Sequence, residues 1–175
     1  MGKSRLSAQI NRMIEVQEIA PPSESFLGAV LQSRSVFADA YVAACDPGIG
    51  LKVFLRAFYT SKAFWPERVL LGLIKRGSTS QEALEAMIEG RSDRFGVWRV
   101  VQRDSTEILL RDTSGRTASW LAVRDGQVMF GSIVYPRVDS SGTERMGALF
   151  WALKGFHKAY SRVLLASAVR RLRDV

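Results

Sequence analysis

Between Phe95 and Pro136 the apolar residues recur at every second position, and this stretch constrains the fold more than any other. Four strand-length runs, FGVWRVVQRD, TEILLRDT, TASWLAVRD and QVMFGSIVYP, are rich in β-branched and aromatic residues. Turn signals separate them: Asp104-Ser105, Thr113-Ser114-Gly115 and Asp125-Gly126, the last being a dipeptide favoured in type I′ hairpins. Links this short join neighbouring antiparallel strands, so the expectation is a meander. An apolar sheet face needs a covering layer. The chain supplies one after Gly147, where no proline occurs and Leu149, Leu153, Phe156, Tyr160, Val163 or Leu164, and Ser167 mark one helical face. Lys154, Lys158 and Arg162 form an i, i+4 ridge on another face, expected in water. A helix of about 25 residues is roughly 37 Å long, enough to cross a whole sheet.

The upstream half adds a strand and helices. SRSVFADAYVAAC alternates apolar and small residues from Val36 to Ala44, as a strand does, and DPGIG breaks it. In the next segment Leu51, Phe54, Leu55 and Phe58 fall at i, i+3, i+4 and i+7, an amphipathic helical stripe. Pro66 divides that segment at FWPE into two helices, the second ending at Gly77. STSQEALEAMIEG reads as a third, short helix, with Thr79 and Glu82 as its capping box and Gly90 at its end. Residues 1–24, interrupted by APPSES, read as a mobile N-terminal arm with a short strand at Met13–Ile19; residues 25–175 read as one domain. VDSSGTERM reads as a polar loop. The expected fold class is α+β: a curved antiparallel sheet of five or six strands gripping a long C-terminal helix.

Composition removes several functional classes. The longest apolar runs fall short of the roughly 18–20 residues that span a bilayer, and the first residues lack the apolar core of a secretory signal. Leu6 also breaks the myristoylation pattern. Cytoplasmic residence is therefore the expectation. One cysteine, Cys45, excludes an internal disulfide and reads as a small buried residue at a strand end. One histidine and one cysteine leave no set for a Cys/His zinc site, so neither metal nor cofactor is expected. A Ser-His-Asp triad would have to use His157, and no G-x-S-x-G elbow is present. Net charge is +8, of which the segment from Lys154 onward, with six Lys/Arg and one Asp, carries +5.

Four stretches, FADAY, FLRAFYTSKAFWPERVLLGLIKRG, DSTEILLRDTSGRTASWLAVRDGQ and FHKAYSRVLLASAVRR, occur in an order that resembles an uncharacterised bacterial family, domain of unknown function 2867. The resemblance covers about residues 36–172. That family is similar to the Bet v 1/START-like superfamily, whose helix-grip fold wraps a sheet around a long C-terminal helix. The resemblance implies an apolar ligand, often a lipid or a polycyclic molecule, held between sheet and helix. It brings no catalytic residues. Five or six strands against seven in the full helix-grip fold imply an incomplete version, with a cavity that is shallow, open at one edge or filled by side chains.

The candidate ligand-binding residues are Asp39, Tyr41, Trp98, Trp120, Phe130, Tyr135, His157 and Tyr160. The strand aromatics Trp98, Trp120, Phe130 and Tyr135 are either core under the long helix or the wall of a pocket. Small residues beside Trp120, with Gly131 and Ser132 on the next strand, leave volume that something must fill. Asp39, in an apolar strand, needs a partner, because a buried unpaired carboxylate is costly; it either caps a helix or pairs with Arg56 or Arg99. His157 is either a hydrogen-bonded helix residue or a general base. The expected function is binding of a small apolar or amphipathic molecule, without enzymatic activity. The alternatives are a cyclase/hydratase-like enzyme using Asp39, Tyr41 and His157, and an interaction module using the basic C-terminal helix. For that helix, RRLRD complements the helix dipole or touches an anionic membrane surface. A nucleic-acid partner is disfavoured by the absence of a binding motif, and the oligomeric state is left open.

Overall fold

The computed structural model describes residues 14–64, 80–138, 144–145 and 148–174. The second helix expected after Pro66, and its end at Gly77, lie outside the described residues. In chain order the elements are β1 (Gln17–Ile19), α1 (Phe26–Ser33), β2 (Phe37–Ala44), α2 (Leu51–Tyr59), a 3-10 turn (Lys62–Phe64), α3 (Gln81–Ile88), β3 (Arg94–Phe95), β4 (Trp98–Arg103), β5 (Glu107–Asp112), β6 (Thr117–Arg124), β7 (Gln127–Val134), β8 (Arg137–Val138), β9 (Glu144–Arg145) and α4 (Ala148–Arg173). Seven strands form one curved antiparallel sheet in the order β1-β2-β7-β6-β5-β4-β3, and the C-terminal helix packs on it. The fold class is α+β, as the hydrophobic periods require.

The strand count exceeds the expected five or six by one, for a local reason: the run FGVWRVVQRD folds back on itself, with Phe95 paired to Trp98 across a turn in which Gly96 has φ +59°. The strand expected in the N-terminal arm is present, where Gln17–Ile19 pairs with Val42–Ala40 of β2. The expected strand was longer, and Met13 is outside the described residues. The presumed loop VDSSGTERM also contributes a strand, since Glu144–Arg145 pairs with Arg137–Val138.

The expected turns form as their residues dictate. Asp125 (φ +50°) and Gly126 (φ +72°) make the left-handed pair of the β6–β7 hairpin. The stripe on α2 is buried throughout: Leu51, Phe54, Leu55 and Phe58 all face the core. The cap of α3 stands one residue later than Thr79–Glu82 predicts. Ser80 is the N-cap, and its Oγ accepts the Ala83 amide at 3.2 Å; Thr79 is outside the described residues. Gly90 (φ +76°) ends the helix, as expected.

Both faces of the sheet are covered, which the expected architecture did not include. One face, with Tyr41, Ile108, Leu110, Leu121, Val128 and Phe130, packs against α2, α3 and α4. The opposite face, with Ala40, Leu109, Ala118, Trp120, Met129 and Ile133, packs against Leu27, Phe26 and Val30 of α1. Helix α1 starts at Ser25, whose Oγ accepts the Gly28 amide at 3.0 Å and donates to the Pro22 carbonyl at 2.6 Å. It is docked by a buried carboxylate: Glu107 accepts the Phe26 amide (3.2 Å), Trp120 Nε1–H (2.5 Å) and Arg124 Nη2 (3.0 Å).

This second layer fills the volume beside Trp120. A Cβ on Gly131 would lie 2.6 Å from Leu27 Cδ2 and 3.0 Å from both the Asp39 carbonyl oxygen and Trp120 Cε3. Gly131→Ala is therefore expected to destabilise the domain by about 1–3 kcal/mol, the usual cost of overpacking. Urea melts check this, and an unchanged midpoint would mean that α1 does not seat against Gly131.

Candidate ligand cavity between sheet and C-terminal helix

The register of the sheet assembles a polar row on the α4-facing side. Asp39 of β2 pairs with Ser132 of β7, and Ser132 pairs with Ser119 of β6. One row further along the strands, Tyr41, Phe130 and Leu121 stand side by side and are apolar apart from the phenol. In the other direction Phe37, Val134 and Thr117 form a third row. Helix α4 crosses these rows and presents His157, Tyr160, Ser161 and Leu164 to them, while Phe58 and Tyr59 of α2 and Phe64 of the 3-10 turn close the side. Between them is a cavity of about 310 Å³, also reached by Trp98.

Nearly half of the wall residues carry rings. Phe58 packs on Phe130 (centroids 5.0 Å apart) and on Phe64 (6.0 Å), and Tyr59 meets Phe64 edge-on at 5.0 Å. Two polar atoms of wall residues are buried without a hydrogen-bond partner: Trp98 Nε1 and Ser161 Oγ. Nearly all buried polar groups in folded proteins are paired. Two residues of one cavity wall thus each carry a polar group without a partner.

At the sheet end of the cavity, Ser132 Oγ donates to Asp39 Oδ1 at 2.6 Å and lies 2.6 Å from His157 Nε2. Tyr41 OH donates to Asp39 Oδ2 at 3.3 Å. A serine hydroxyl has one proton. With Ser132 donating to Asp39, the tautomer that satisfies the histidine contact carries its proton on Nε2 and donates it to Ser132 Oγ. His157 Nε2 is also 3.9 Å from Asp39 Oδ2. This is not a nucleophilic triad, although the residue types match one. In a triad the carboxylate holds Nδ1–H and leaves Nε2 free to take the hydroxyl proton. Here serine and carboxylate both approach Nε2, and the hydroxyl proton is already committed. Burial and the neighbouring Asp39 carboxylate push the Tyr41 phenol well above its ordinary pKa, so it remains a proton donor to Asp39.

No family model, curated protein or solved structure matches the chain. The geometry of the cavity is therefore what its function is argued from.

Of the eight candidate residues, Trp98, Phe130, His157 and Tyr160 line the cavity. Asp39 stands one contact behind it, through Ser132 and His157, and Tyr41 is hydrogen-bonded to Asp39 in turn. Asp39 does not pair with Arg56 or Arg99, as the sequence suggested: Arg56 holds Glu85 at 2.6 and 2.8 Å, and Arg99 holds Asp93 at 3.4 Å. Trp120 and Tyr135 are on the opposite face, Trp120 fully buried beside Leu27 and Tyr135 under the Arg111 guanidinium at 4.2 Å. Period-two alternation separates the two groups by parity, but both faces are apolar and nothing in the strands says which one α4 covers. Ser132, Ser161 and the α2 rings Phe58 and Tyr59 were not among the candidates. A lone Ser132 inside QVMFGSIV was the available signal for the first.

The buried stripe of α4 also differs from the expected one. Ser161, Leu164, Leu165, Ala168 and Val169 are buried, whereas Val163 is 55% exposed and Tyr160 and Ser167 are intermediate. The side chain of Phe156 lies outside the described residues. Lys158 and Arg162 are half-exposed rather than free in water, holding Glu18 of β1 at 2.5 and 3.1 Å. The Lys158 hydrogen bond holds the Glu18 carboxyl below its usual range. Cys45 is a half-buried free thiol just after β2, its pKa raised by burial. Among the described residues, no three of His, Cys, Asp and Glu converge as metal ligands, and no helix is long and apolar enough to cross a membrane.

Proposed function

We propose that the domain binds one small apolar or amphipathic molecule between its sheet and its C-terminal helix, without transforming it. The observation that carries this reading is the aromatic-walled cavity of about 310 Å³ with two unpartnered polar atoms on its walls. The sheet and the long helix are also the elements that the helix-grip resemblance implies. Membership of the domain of unknown function 2867 family, with its Bet v 1/START-like kinship, is part of the proposal, as is a cytoplasmic setting.

The cyclase/hydratase alternative draws on Asp39, Tyr41, Ser132 and His157 meeting at the cavity end. The Ser132 hydroxyl is already donated to Asp39, and serine and carboxylate both crowd Nε2, so the set lacks the hydroxyl-to-imidazole relay of a nucleophilic enzyme, and binding is preferred. Contact of the basic helix end with an anionic membrane or another partner is a third use; Arg170, Arg171 and Arg173 in the last turn already suit the helix dipole.

Native mass spectrometry of the purified protein is expected to show a small non-covalent adduct that denaturation releases. Added ring-containing apolar compounds should shift the tryptophan emission, because Trp98 lines the cavity. A bare chain mass, together with no uptake from a panel of such compounds, would reject the binding function.

A further inference from the structure

We infer that the cavity selects a neutral, ring-built molecule carrying an oxygen acceptor, and discriminates against the same skeleton bearing a carboxylate or an ammonium group. The inference rests on the binding function proposed above and names the class of ligand for that cavity.

Shape comes first. Ligand pockets commonly span about 300–1,000 Å³, so a cavity of about 310 Å³ is at the small end. Its walls present the rings of Phe58, Phe64, Phe130 and Trp98, which favour flat apolar surfaces over a long flexible chain.

Charge decides the head group. Among the described residues no Lys or Arg lines the cavity. The nearest fixed charge is the Asp39 carboxylate, buried directly behind Ser132 and His157. The cations of α4 that approach this region, Lys158 and Arg162, are engaged by Glu18. Among the described residues a ligand carboxylate would thus leave water, find no cation on the walls and meet a like charge. An ammonium group fails differently: Asp39 is not on the cavity wall but behind Ser132 and His157, so the cation would leave water without a carboxylate to hydrogen-bond. The orphaned Trp98 Nε1–H is a donor only. What Trp98 lacks is an acceptor, and a carbonyl, ether or hydroxyl oxygen provides one without bringing charge. Ser161 Oγ, also unpartnered, can donate to or accept from the same kind of group.

The test uses three probes on one ring system, acetonaphthone, naphthoate and (aminomethyl)naphthalene, titrated calorimetrically into the full chain. The ketone is expected to bind at least about tenfold tighter than either charged probe. Trp98→Phe keeps a ring but removes the donor, and should weaken the ketone about three- to tenfold. Asp39→Asn should tighten naphthoate about tenfold and leave the ketone unchanged. Thermal melts establish that both variants are folded; if Asp39→Asn does not fold, the probe ranking and Trp98→Phe decide the matter alone. Equal affinity for all three probes, or tightest binding of naphthoate, would overturn the selectivity while leaving the binding function standing. Failure of all three to bind would remove both.

Discussion

Trp120→Ala is expected to lower the free energy of unfolding by about 3–5 kcal/mol, the range for removing a large buried aromatic side chain. Trp120 has no exposed surface and is packed between the sheet and Leu27 of α1. Its loss opens a cavity under a helix of only eight residues, too short to hold its shape without the sheet. It also takes one of three partners from Glu107, whose carboxylate is 1% exposed and holds the first amide of α1. Trp120→Phe separates the two effects, because it keeps most of the volume and removes only the 2.5 Å bond to Glu107. A loss of about 1–3 kcal/mol is expected for that variant. Urea unfolding followed by circular dichroism measures both. A loss below about 1 kcal/mol for Trp120→Ala would mean that α1 does not cover this face. Because Trp120 is across the sheet from the cavity, neither variant should change the affinity for a ring-containing ligand.

A chain ending at Gly155 should show no cooperative thermal transition. The deletion removes Leu164, Leu165 and Val169, each at most 3% exposed, together with Ser161 and Ala168. Burial of one large apolar side chain contributes roughly 1.5–3 kcal/mol. Three of them match a substantial share of the roughly 5–15 kcal/mol that holds a whole domain together. The deletion would also bare Tyr41, Phe58 and Phe130, which share a core cluster with the helix. Removing only Arg170–Val175 should leave the domain folded, since the described part of that segment packs against the core through Leu172 alone. Thermal scans of the two truncations distinguish the cases. A cooperative transition in the chain ending at Gly155 would make the last helix an appendage, and the membrane-surface and nucleic-acid readings of its basic end would then lead.

Much of the architecture was legible because it depends on local periods. Alternation over two positions marks β4 to β7, and Asp125-Gly126 supplies the left-handed pair their last hairpin requires. The spacing of Leu51, Phe54, Leu55 and Phe58 places the buried side of α2. The long proline-free tail is one helix of 26 residues, Ala148–Arg173. Each of these signals is carried by neighbours in the chain.

What escaped was settled between elements far apart in sequence. Helix α1 covers a whole sheet face, yet Phe26–Ser33 makes about two turns, too few for a period to declare itself. On α4, Leu164 of the expected stripe is buried and Tyr160 lines the cavity, but the helix touches both α2 and the sheet and so also buries small residues such as Ser161 and Ala168 that the stripe did not include. Hydrophobicity is blind to such positions, because their role is to leave space. The polar end of the cavity depends on register: Asp39 meets Ser132 across 93 positions, and His157 reaches the same hydroxyl from the helix, 25 positions away. The sequence by itself determined β2, the strands β4 to β7 as a meander of neighbours, and the helices α2, α3 and α4, since those follow from period and turn chemistry. Only the tertiary structure decided which sheet face α4 grips and which polar groups share a cavity, because a strand that is apolar on both sides holds no record of what lies above it.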